Sequence, residues 1–185
     1  MLGAALASFN SKGIEATGIE DLKRDSAQSV GTIYHHFKNK EGVVAALFFL
    51  AFDDQSRAMA EGLAVELPTR SLLRSLVSAY LRWTCAQPEL ARFILMARDV
   101  ITQGPCAQEL AQRLERRYGP IDARLSEAMS EGEIRTLPDE IVPALVLGPA
   151  ESYCRGWLSG YRKPSPAMFE SEFGDAAWHA LRVQD

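Results

Sequence analysis

Apolar residues recur at intervals of three and four along most of the chain, the spacing that places them on one face of an α-helix. In the first such stretch they are Leu2, Ala5, Leu6 and Phe9. Lys12 and Gly13 follow, and a glycine at this point is typical of a helix end. No segment alternates apolar and polar residues between turn signals, as half-buried strands do. The pattern therefore predicts an all-α chain.

Proline, glycine and short polar runs divide the chain into successive helices. The predicted helices are residues 2–12, 18–25, 29–37, 39–64, 69–87, 89–100, 106–118, 121–129, 138–159 and 167–181. The Gly119-Pro120 pair is expected to kink the chain or to restart a helix. The helix at 39–64 is apolar on most of its surface as far as Ala51, so we expect it to link an N-terminal part to the rest.

Residues 17–40 predict two short helices, a tight turn and the start of a third helix. Thr17 and Glu20 have the spacing of a reciprocal capping box at a helix start. Ser29 can cap the second helix, and Asn39 the third. Two helices joined by a few residues are typical of a helix-turn-helix unit, whose second helix enters the major groove of DNA.

The second of these helices carries side chains that suit contact with DNA. Gly31 allows the backbone to come close, and the Thr32 hydroxyl can bond a base edge or a phosphate. Val30 can make only apolar contact, for example with a thymine methyl group. Lys40 adds positive charge at a helix N-terminus. The predicted DNA-contacting residues are Thr17, Ser29, Val30, Gly31, Thr32, Tyr34, His35 and Lys40.

From Leu2 to about Leu47 the chain resembles the tetracycline-repressor (TetR) family of transcriptional regulators. The specific part of the resemblance is Thr-Ile-Tyr-His-His-Phe at 32–37 with Lys-Asn-Lys-Glu at 38–41. Three residues depart from the usual family pattern: Ala27 replaces a glycine, Gln28 a small apolar residue and Val30 a polar one. The chain also starts inside what should be the first helix, so we expect either a fragment or a misplaced start.

The resemblance implies two domains: a three-helix DNA-binding domain at residues 1–47, and a helical ligand-binding and dimerisation domain at 48–185. Mostly aromatic residues of several predicted helices are candidates to line a ligand pocket: Tyr80, Trp83, Phe93, Met96, Arg98, Tyr118, Tyr153 and Trp157. Plain core packing is the alternative for each of them. Arg98 and Arg155 interrupt apolar faces, and each could pair with an anionic ligand or with an internal carboxylate.

The last two predicted helices are apolar beyond what one neighbour would cover. In TetR-like proteins these helices form a four-helix dimer interface, and the residues that would suit it here are Val146, Ala150, Cys154, Leu158, Phe169, Phe173, Ala177 and Trp178. A twofold dimer would place two recognition helices about 34 Å apart, which matches successive major grooves of a palindromic operator.

The composition bears on the DNA-binding prediction mainly through the distribution of charge along the chain. The chain of 185 residues has a net charge of −4, and five Lys/Arg balance five Asp/Glu in residues 1–52. The acidity therefore lies outside the predicted DNA-binding part, but no basic patch is visible. Three widely spaced cysteines indicate a reduced, cytoplasmic chain without a disulfide framework. The longest apolar run, residues 141–150, is too short to span a membrane.

No arrangement of residues predicts catalysis, a metal site or a cofactor. His35 and His36 are adjacent on one helix and cannot easily share a metal, and no serine or glycine-rich loop has a catalytic or phosphate-binding context. We therefore interpret the chain as a non-enzymatic, ligand-responsive repressor that binds double-stranded operator DNA as a homodimer and responds to an unknown small-molecule inducer. The alternative is a helical small-molecule-binding or scaffold protein that no longer binds DNA.

Overall fold

The computed structural model of the chain describes residues 2–26, 37–61 and 67–183. The α-helices in these ranges are α1 (Leu2–Lys12), α2 (Ile19–Ser26), α3 (Lys40–Glu61), α4 (Thr69–Ala86), α5 (Pro88–Thr102), α6 (Ala107–Ser130), α7 (Val142–Leu158) and α8 (Glu170–Leu181). Short 3-10 helices at Asp139–Ile141 and Pro166–Phe169 precede α7 and α8. The described ranges contain no strand, only an isolated bridge between Ile134 and Arg182. The all-α prediction is confirmed.

Most helix boundaries follow the local sequence signals. Gly13 ends α1 with a φ of 87°, and its amide donates to the carbonyl of Phe9, as expected of a glycine after a helix. The proline at position 88 occupies the first residue of α5, where its missing N–H leaves no helical hydrogen bond unmade. The helix predicted from Ser29 to Phe37 lies outside the described residues except for Phe37 itself.

Of the two outcomes predicted at Gly119-Pro120, a kink or a restart, the restart is wrong, because α6 continues through both residues. A proline inside a helix removes one backbone hydrogen bond and costs about 3 kcal/mol. Beyond the proline, Ile121, Leu125 and Ala128 are buried in the core, and this burial offsets the cost. Tertiary packing here overrides a local breaking signal.

The predicted capping box of α2 is also corrected. The helix begins at Ile19, so Gly18 and not Thr17 is the capping residue. The carboxylate of Asp21 accepts a hydrogen bond from the Gly18 amide at 3.0 Å, and Glu20 has no part in the cap. Two successive acidic residues, Glu20 and Asp21, made the register ambiguous by one position.

Residue contacts divide the chain into two compact units. Unit 1 comprises Met1–Asp54 and Gln87–Leu110, and unit 2 comprises Gln55–Ala86 and Ala111–Asp185. Unit 1 therefore contains α1, α2, the first part of α3 and all of α5. The sequence predicted a boundary after residue 47 and assigned all later residues to the C-terminal domain, so the observed grouping differs for residues 48–54 and 87–110, which include α5.

The core of unit 1 is built from aromatic and aliphatic side chains of α1, α2, α3 and α5. Phe9 of α1 is fully buried and stacks on Phe93 of α5, with ring centroids 5.6 Å apart. Leu22 of α2 and Val43 of α3 are buried as well. Burial of such side chains is worth about 1.5–3 kcal/mol each. The stack ties α5 to the first helix of the predicted DNA-binding region.

Unit 2 has a separate core formed by α4, α6, α7 and α8 with the end of α3. Its buried residues include Leu73, Leu81, Ile134 and Leu181, each essentially inaccessible to solvent. Helices α4 and α8 approach closely at Gly174, where an added Cβ would lie 3.3 Å from the Cα of Arg74. Among the described helices, none is both long and apolar enough to cross a lipid bilayer.

Candidate nucleic-acid interface

The predicted DNA-contacting residues fall into two groups with respect to the structure. Thr17 and Lys40 are described. The other six lie outside the described residues: Ser29, Val30, Gly31, Thr32, Tyr34 and His35. The structure therefore describes the elements on both sides of residues 27–36, namely α1 and α2 before this segment and the start of α3 after it.

A charged cluster joins α1 to α2. The carboxylate of Asp21 accepts hydrogen bonds from the Lys12 ammonium at 2.9 Å, the Arg24 guanidinium at 2.6 Å and the Gly18 amide at 3.0 Å. These donors, that of Lys12 foremost, hold the pKa of Asp21 well below its usual range. One carboxylate therefore caps α2, ties it to α1 and holds two cations beside the predicted interface.

Thr17 is placed inside unit 1 and does not face solvent. Its side chain is fully buried, and its hydroxyl donates to the carbonyl of Gly13 at 2.7 Å and to that of Ser8 at 3.5 Å. A hydroxyl committed to two carbonyls at the end of α1 fixes the turn that leads into α2. The prediction that Thr17 contacts DNA is corrected to this positioning role.

The chain enters α3 through a tight turn at Phe37, Lys38 and Asn39. Lys38 has a φ of 62°, in the left-handed region that non-glycine residues seldom adopt, and the Asn39 amide donates to the Phe37 carbonyl at 2.7 Å. The Asn39 side chain then accepts a hydrogen bond from the Gly42 amide at 2.8 Å. The predicted cap of the third helix at Asn39 is confirmed.

Gly42 keeps this turn close to the helix. A Cβ built at this position would overlap the carbonyl oxygen of Phe37 and would lie 2.9 Å from its carbonyl carbon. A larger residue would push the backbone of Phe37 away from α3. The absence of a side chain at residue 42 thus fixes the position of Phe37 against α3.

Lys40 links the start of α3 to the turn between α1 and α2. Its ammonium donates to the carbonyls of Ile14 at 3.1 Å and Glu15 at 3.4 Å. The charge lies in the first turn of α3, where the helix also presents backbone amides. Lys40 therefore positions α3 against the turn between α1 and α2. Its predicted contact with DNA stays a prediction.

The residues predicted to line a ligand pocket divide between the two units. Phe93, Met96 and Arg98 belong to α5 in unit 1. Phe93 is fully buried in the stack with Phe9, and Arg98 is exposed. The remaining five lie in unit 2: Tyr80, Trp83, Tyr118, Tyr153 and Trp157.

Polar groups of α4 and α7 meet inside unit 2. Tyr80 and Cys154 belong to one buried cluster, against which Tyr118 packs. Burial, with a further contribution from the nearby Glu151 carboxylate, raises the pKa of the Tyr80 phenol. Burial likewise raises the pKa of the Cys154 thiol to about 12, so this thiol stays protonated at neutral pH. The interpretation of Cys154 as a small buried residue is supported.

Five of the residues predicted to form a dimer interface are buried within the chain itself. They are Val146, Ala150, Cys154, Leu158 and Ala177. A side chain buried against its own protomer has no surface to offer a partner, so this part of the prediction is wrong. Phe169, Phe173 and Trp178 are half-buried, and Phe169 and Phe173 pack edge to face beside Tyr153.

Sequence reasoning missed two groups of residues that position the elements beside the candidate interface. Lys12, Asp21 and Arg24 form the charged cluster between α1 and α2, and the only local signal for it was the pair of acidic residues at the start of α2. Gly42 and Lys38 shape the turn into α3. Close packing of this kind depends on residues that only the folded chain brings together. In the described part of the chain, no group of His, Cys, Asp and Glu side chains could hold a metal ion.

Comparison with known proteins gives one family match and many structural neighbours. Residues 1–47 match the model of the family described as bacterial regulatory proteins, tetR family. A TetR family transcription regulator from Marinobacter aquaeolei VT8 superposes with a TM-score of 0.80 at 20% identity, over 99% of this chain and 94% of that one. A putative tetR family regulator from Shewanella sp. PV-4 gives 0.79 at 22% identity, over 99% and 96% of the chains. FadR from Bacillus subtilis, in complex with stearoyl-CoA, gives 0.75 at 18% identity, over 95% of each chain.

Proposed function

We propose that the chain, whose residues 1–47 match the model of the tetR family of bacterial regulators, is a TetR-type repressor that binds a palindromic operator as a homodimer and leaves it when a small molecule binds. The observation that carries the proposal is the match of the helix-turn-helix region, in which α1, α2 and the start of α3 are tied together by hydrogen bonds. The proposed location is the cytoplasm.

On the DNA side, residues 29–35 are proposed to read the major groove. Ser29, Thr32, Tyr34 and His35 supply hydroxyl and ring donors, and Gly31 allows close approach of the backbone. The Asp21 cluster and the Asn39 cap hold the described elements on the two sides of this segment, α2 and the start of α3. In a twofold dimer, two such segments about 34 Å apart meet successive major grooves.

On the ligand side, the aromatic residues of unit 2 are proposed to receive an apolar small molecule. Tyr80, Trp83 and Tyr118 come from α4 and α6, and Tyr153 and Trp157 come from α7. The protonated Tyr80 phenol can donate a hydrogen bond to a polar group of the ligand. The complex of FadR with stearoyl-CoA is a property of that protein, but it supports a search among apolar molecules with a polar head.

We propose that two helices carry the effect of ligand binding from unit 2 to the DNA-binding region. One helix contributes residues to both units, and the other begins where the chain passes from unit 2 back into unit 1. α3 contributes residues to both units, and α5 begins at Pro88, directly after α4 ends at Ala86. The amide of Asn10 in α1 donates to the carbonyl of Glu89 at 3.0 Å, so the first turn of α5 is bonded to α1. A ligand that binds one arrangement of these helices better than the other shifts the dimer away from the operator-binding state.

The test of DNA binding uses the full chain and the DNA that flanks its own gene, in footprinting and in salt-titrated binding. The Tyr34→Ala/His35→Ala double variant is expected to lose operator binding while keeping its helical content by circular dichroism. Glu131→Ala, at an exposed position after α6, is the control and is expected to bind like the wild type. Unchanged binding by the double variant would contradict the proposed role of this segment.

The second candidate function is a helical ligand-binding or scaffold protein without operator binding. The observation in its favour is the charge, since residues 1–52 are neutral and the whole chain carries −4. A DNA-binding surface normally collects positive charge, and binding then weakens steeply with salt. A palindromic footprint whose affinity falls with salt favours the repressor, whereas the absence of any footprint at low salt favours the second candidate.

A further inference from the structure

The carboxylate of Glu151 lies half-buried at one edge of α7, where the buried face of the helix gives way to solvent. Leu147, one turn before it, and Leu158, two turns after it, are buried, whereas Arg155 on the other side is exposed. Among the residues that the structure describes, none pairs with the Glu151 carboxylate by a hydrogen bond or an ion pair. Charged groups withdrawn from water are normally paired, which makes this carboxylate a candidate to bind a ligand.

Glu151 lies near a buried phenol and a buried thiol of the unit 2 core. Burial is the largest cause of the raised pKa of both the Tyr80 phenol and the Cys154 thiol, and the charge of Glu151 adds to each shift. An effect of this kind requires the carboxylate to lie near both groups. Tyr118 of α6 packs against the same buried cluster. Tyr80 of α4 therefore has the Glu151 carboxylate of α7 and the Tyr118 ring of α6 as neighbours, all within unit 2.

Two of the other aromatic candidates lie on a different side of α7. Tyr153 is about 200° around the helix from Glu151, and its ring packs against phenylalanines at and before the start of α8. Trp157 is about 120° away from Glu151 by the same geometry. Of the aromatic candidates on α6 and α7, only Tyr118 is therefore placed on the same side as the carboxylate.

One cation lies beside Tyr118, but its hydrogen bonds lead to α3. The Arg117 guanidinium stands 4.9 Å from the centre of the Tyr118 ring. It donates to the side-chain oxygen of Gln55 at 2.9 Å and to the sulfur of Met59. The described contacts of Arg117 include no ion pair with Glu151. The charge on Glu151 is therefore left for another cation, and an anionic group placed beside it would be repelled.

We propose that the small molecule received by unit 2 carries a positive charge, which pairs with the Glu151 carboxylate beside the rings of Tyr80 and Tyr118. This inference rests on the proposed ligand site and names the chemical class of its ligand, an apolar amine. The face of an aromatic ring attracts a cation, and a phenol oxygen can accept a hydrogen bond from an ammonium group. The same carboxylate disfavours a ligand with an anionic head, so one residue supplies both attraction and discrimination.

The test compares three probes that share a decyl chain and differ only in the head group: decylammonium, decanol and decanoate. Isothermal titration calorimetry with the full chain at neutral pH measures each dissociation constant, below the concentration at which the probe forms micelles. The wild type is expected to bind decylammonium at least about tenfold more tightly than decanoate, because the carboxylate attracts one head group and repels the other. Decanol is expected to bind with an affinity between these two.

Glu151→Gln removes the charge and keeps nearly the same shape. Its affinity for decylammonium is expected to fall at least about tenfold, while its affinity for decanol stays within about threefold of the wild type. Glu151→Asp keeps the charge and is expected to keep the preference for decylammonium over decanoate. Glu140→Gln makes the same chemical change at an exposed position before α7, and this control is expected to bind all three probes like the wild type.

The pattern over the three head groups separates a ligand contact from a structural role, since damage to the fold would weaken all the probes alike. Equal binding of decylammonium and decanoate by the wild type would overturn the inference and leave an apolar ligand site standing. An equal loss of decylammonium and decanol binding in Glu151→Gln would overturn it as well. A wild type that binds none of the three probes would instead refute the proposed ligand site itself, and the inference with it.

Discussion

Replacement of Gly42 by alanine is predicted to destabilise unit 1, although alanine normally favours a helix over glycine. The new Cβ would overlap the Phe37 carbonyl oxygen, and the carbonyl carbon would have to retreat by at least about 0.5 Å, from 2.9 Å to the 3.4 Å at which ordinary contact begins. Overpacking of this kind costs about 1–3 kcal/mol, whereas the gain in helix propensity is at most about 1 kcal/mol. The clash should therefore prevail.

The assay is urea denaturation of the wild type, of Gly42→Ala and of Gly3→Ala. Gly3 is the matched control, because it also lies in the first turn of a helix but an added Cβ there would meet nothing within 4 Å. Gly3→Ala is expected to leave the free energy of unfolding unchanged or to raise it by up to about 1 kcal/mol. Gly42→Ala should lower it, with a fall in melting temperature of about 2–4 °C per kcal/mol.

The same substitution should also weaken operator binding, because Phe37 directly follows the segment that carries the predicted DNA contacts. Fluorescence anisotropy with operator DNA would measure the affinity at a temperature where the wild type, Gly42→Ala and Gly3→Ala are all folded. If Gly42→Ala were as stable as Gly3→Ala and bound the operator like the wild type, the role given to the Phe37–Gly42 contact would be wrong.

Two further predictions follow from the perturbed ionisable groups. Because its pKa is lowered in the folded chain, ionised Asp21 adds stability that is present above about pH 4 and is lost as the pH falls further, so Asp21→Asn should reduce the free energy of unfolding at pH 7 more than at pH 3. Urea titrations at the two pH values would measure this, and an equal loss at both would count against the cluster. The Cys154 thiol, buried and with a pKa raised to about 12, should resist iodoacetamide at pH 8 until the chain unfolds, while the half-buried Cys85 and Cys106 react first in peptide mass spectra. Rapid alkylation of Cys154 in the folded chain would contradict its burial.

Helix boundaries were predictable where a residue's own chemistry marks the start or the end of a helix. Gly13 adopts a positive φ that ends α1, Asn39 caps α3 with its own side chain, and Pro88 begins α5. The sequence is ambiguous where two neighbouring residues could fill the same role, as Glu20 and Asp21 could in the cap of α2. Pro120 does not restart a helix, because the packing of α6 on the core outweighs a local cost that is visible in the sequence.

The sequence predicts the helix-turn-helix motif, but it does not predict the contacts that hold the neighbouring helices in place. The motif is a run of residue types, so it can be read along the chain. These contacts join residues that are far apart in the sequence, such as Lys40 and the carbonyl of Ile14, 26 residues earlier. Thr17 shows the consequence, because a hydroxyl next to a helix start suits both a phosphate contact and an internal bond, and only the fold selects the internal one.

Five of the predicted dimer residues are buried within the protomer, and periodicity alone could not show this. A helix that packs on its own chain with one face and on a second copy with the other is apolar nearly all round, so periodicity gives no phase by which to tell the two faces apart. Choosing the largest apolar residues of α7 selects Val146 and Leu158, which fill the core of the protomer. Burial in the folded chain supplies that phase, since it places Val146, Ala150, Cys154 and Leu158 on the face of α7 that packs inside the protomer. Phe169, Phe173 and Trp178 are only half-buried, so these three side chains carry the part of the dimer prediction that stays a prediction.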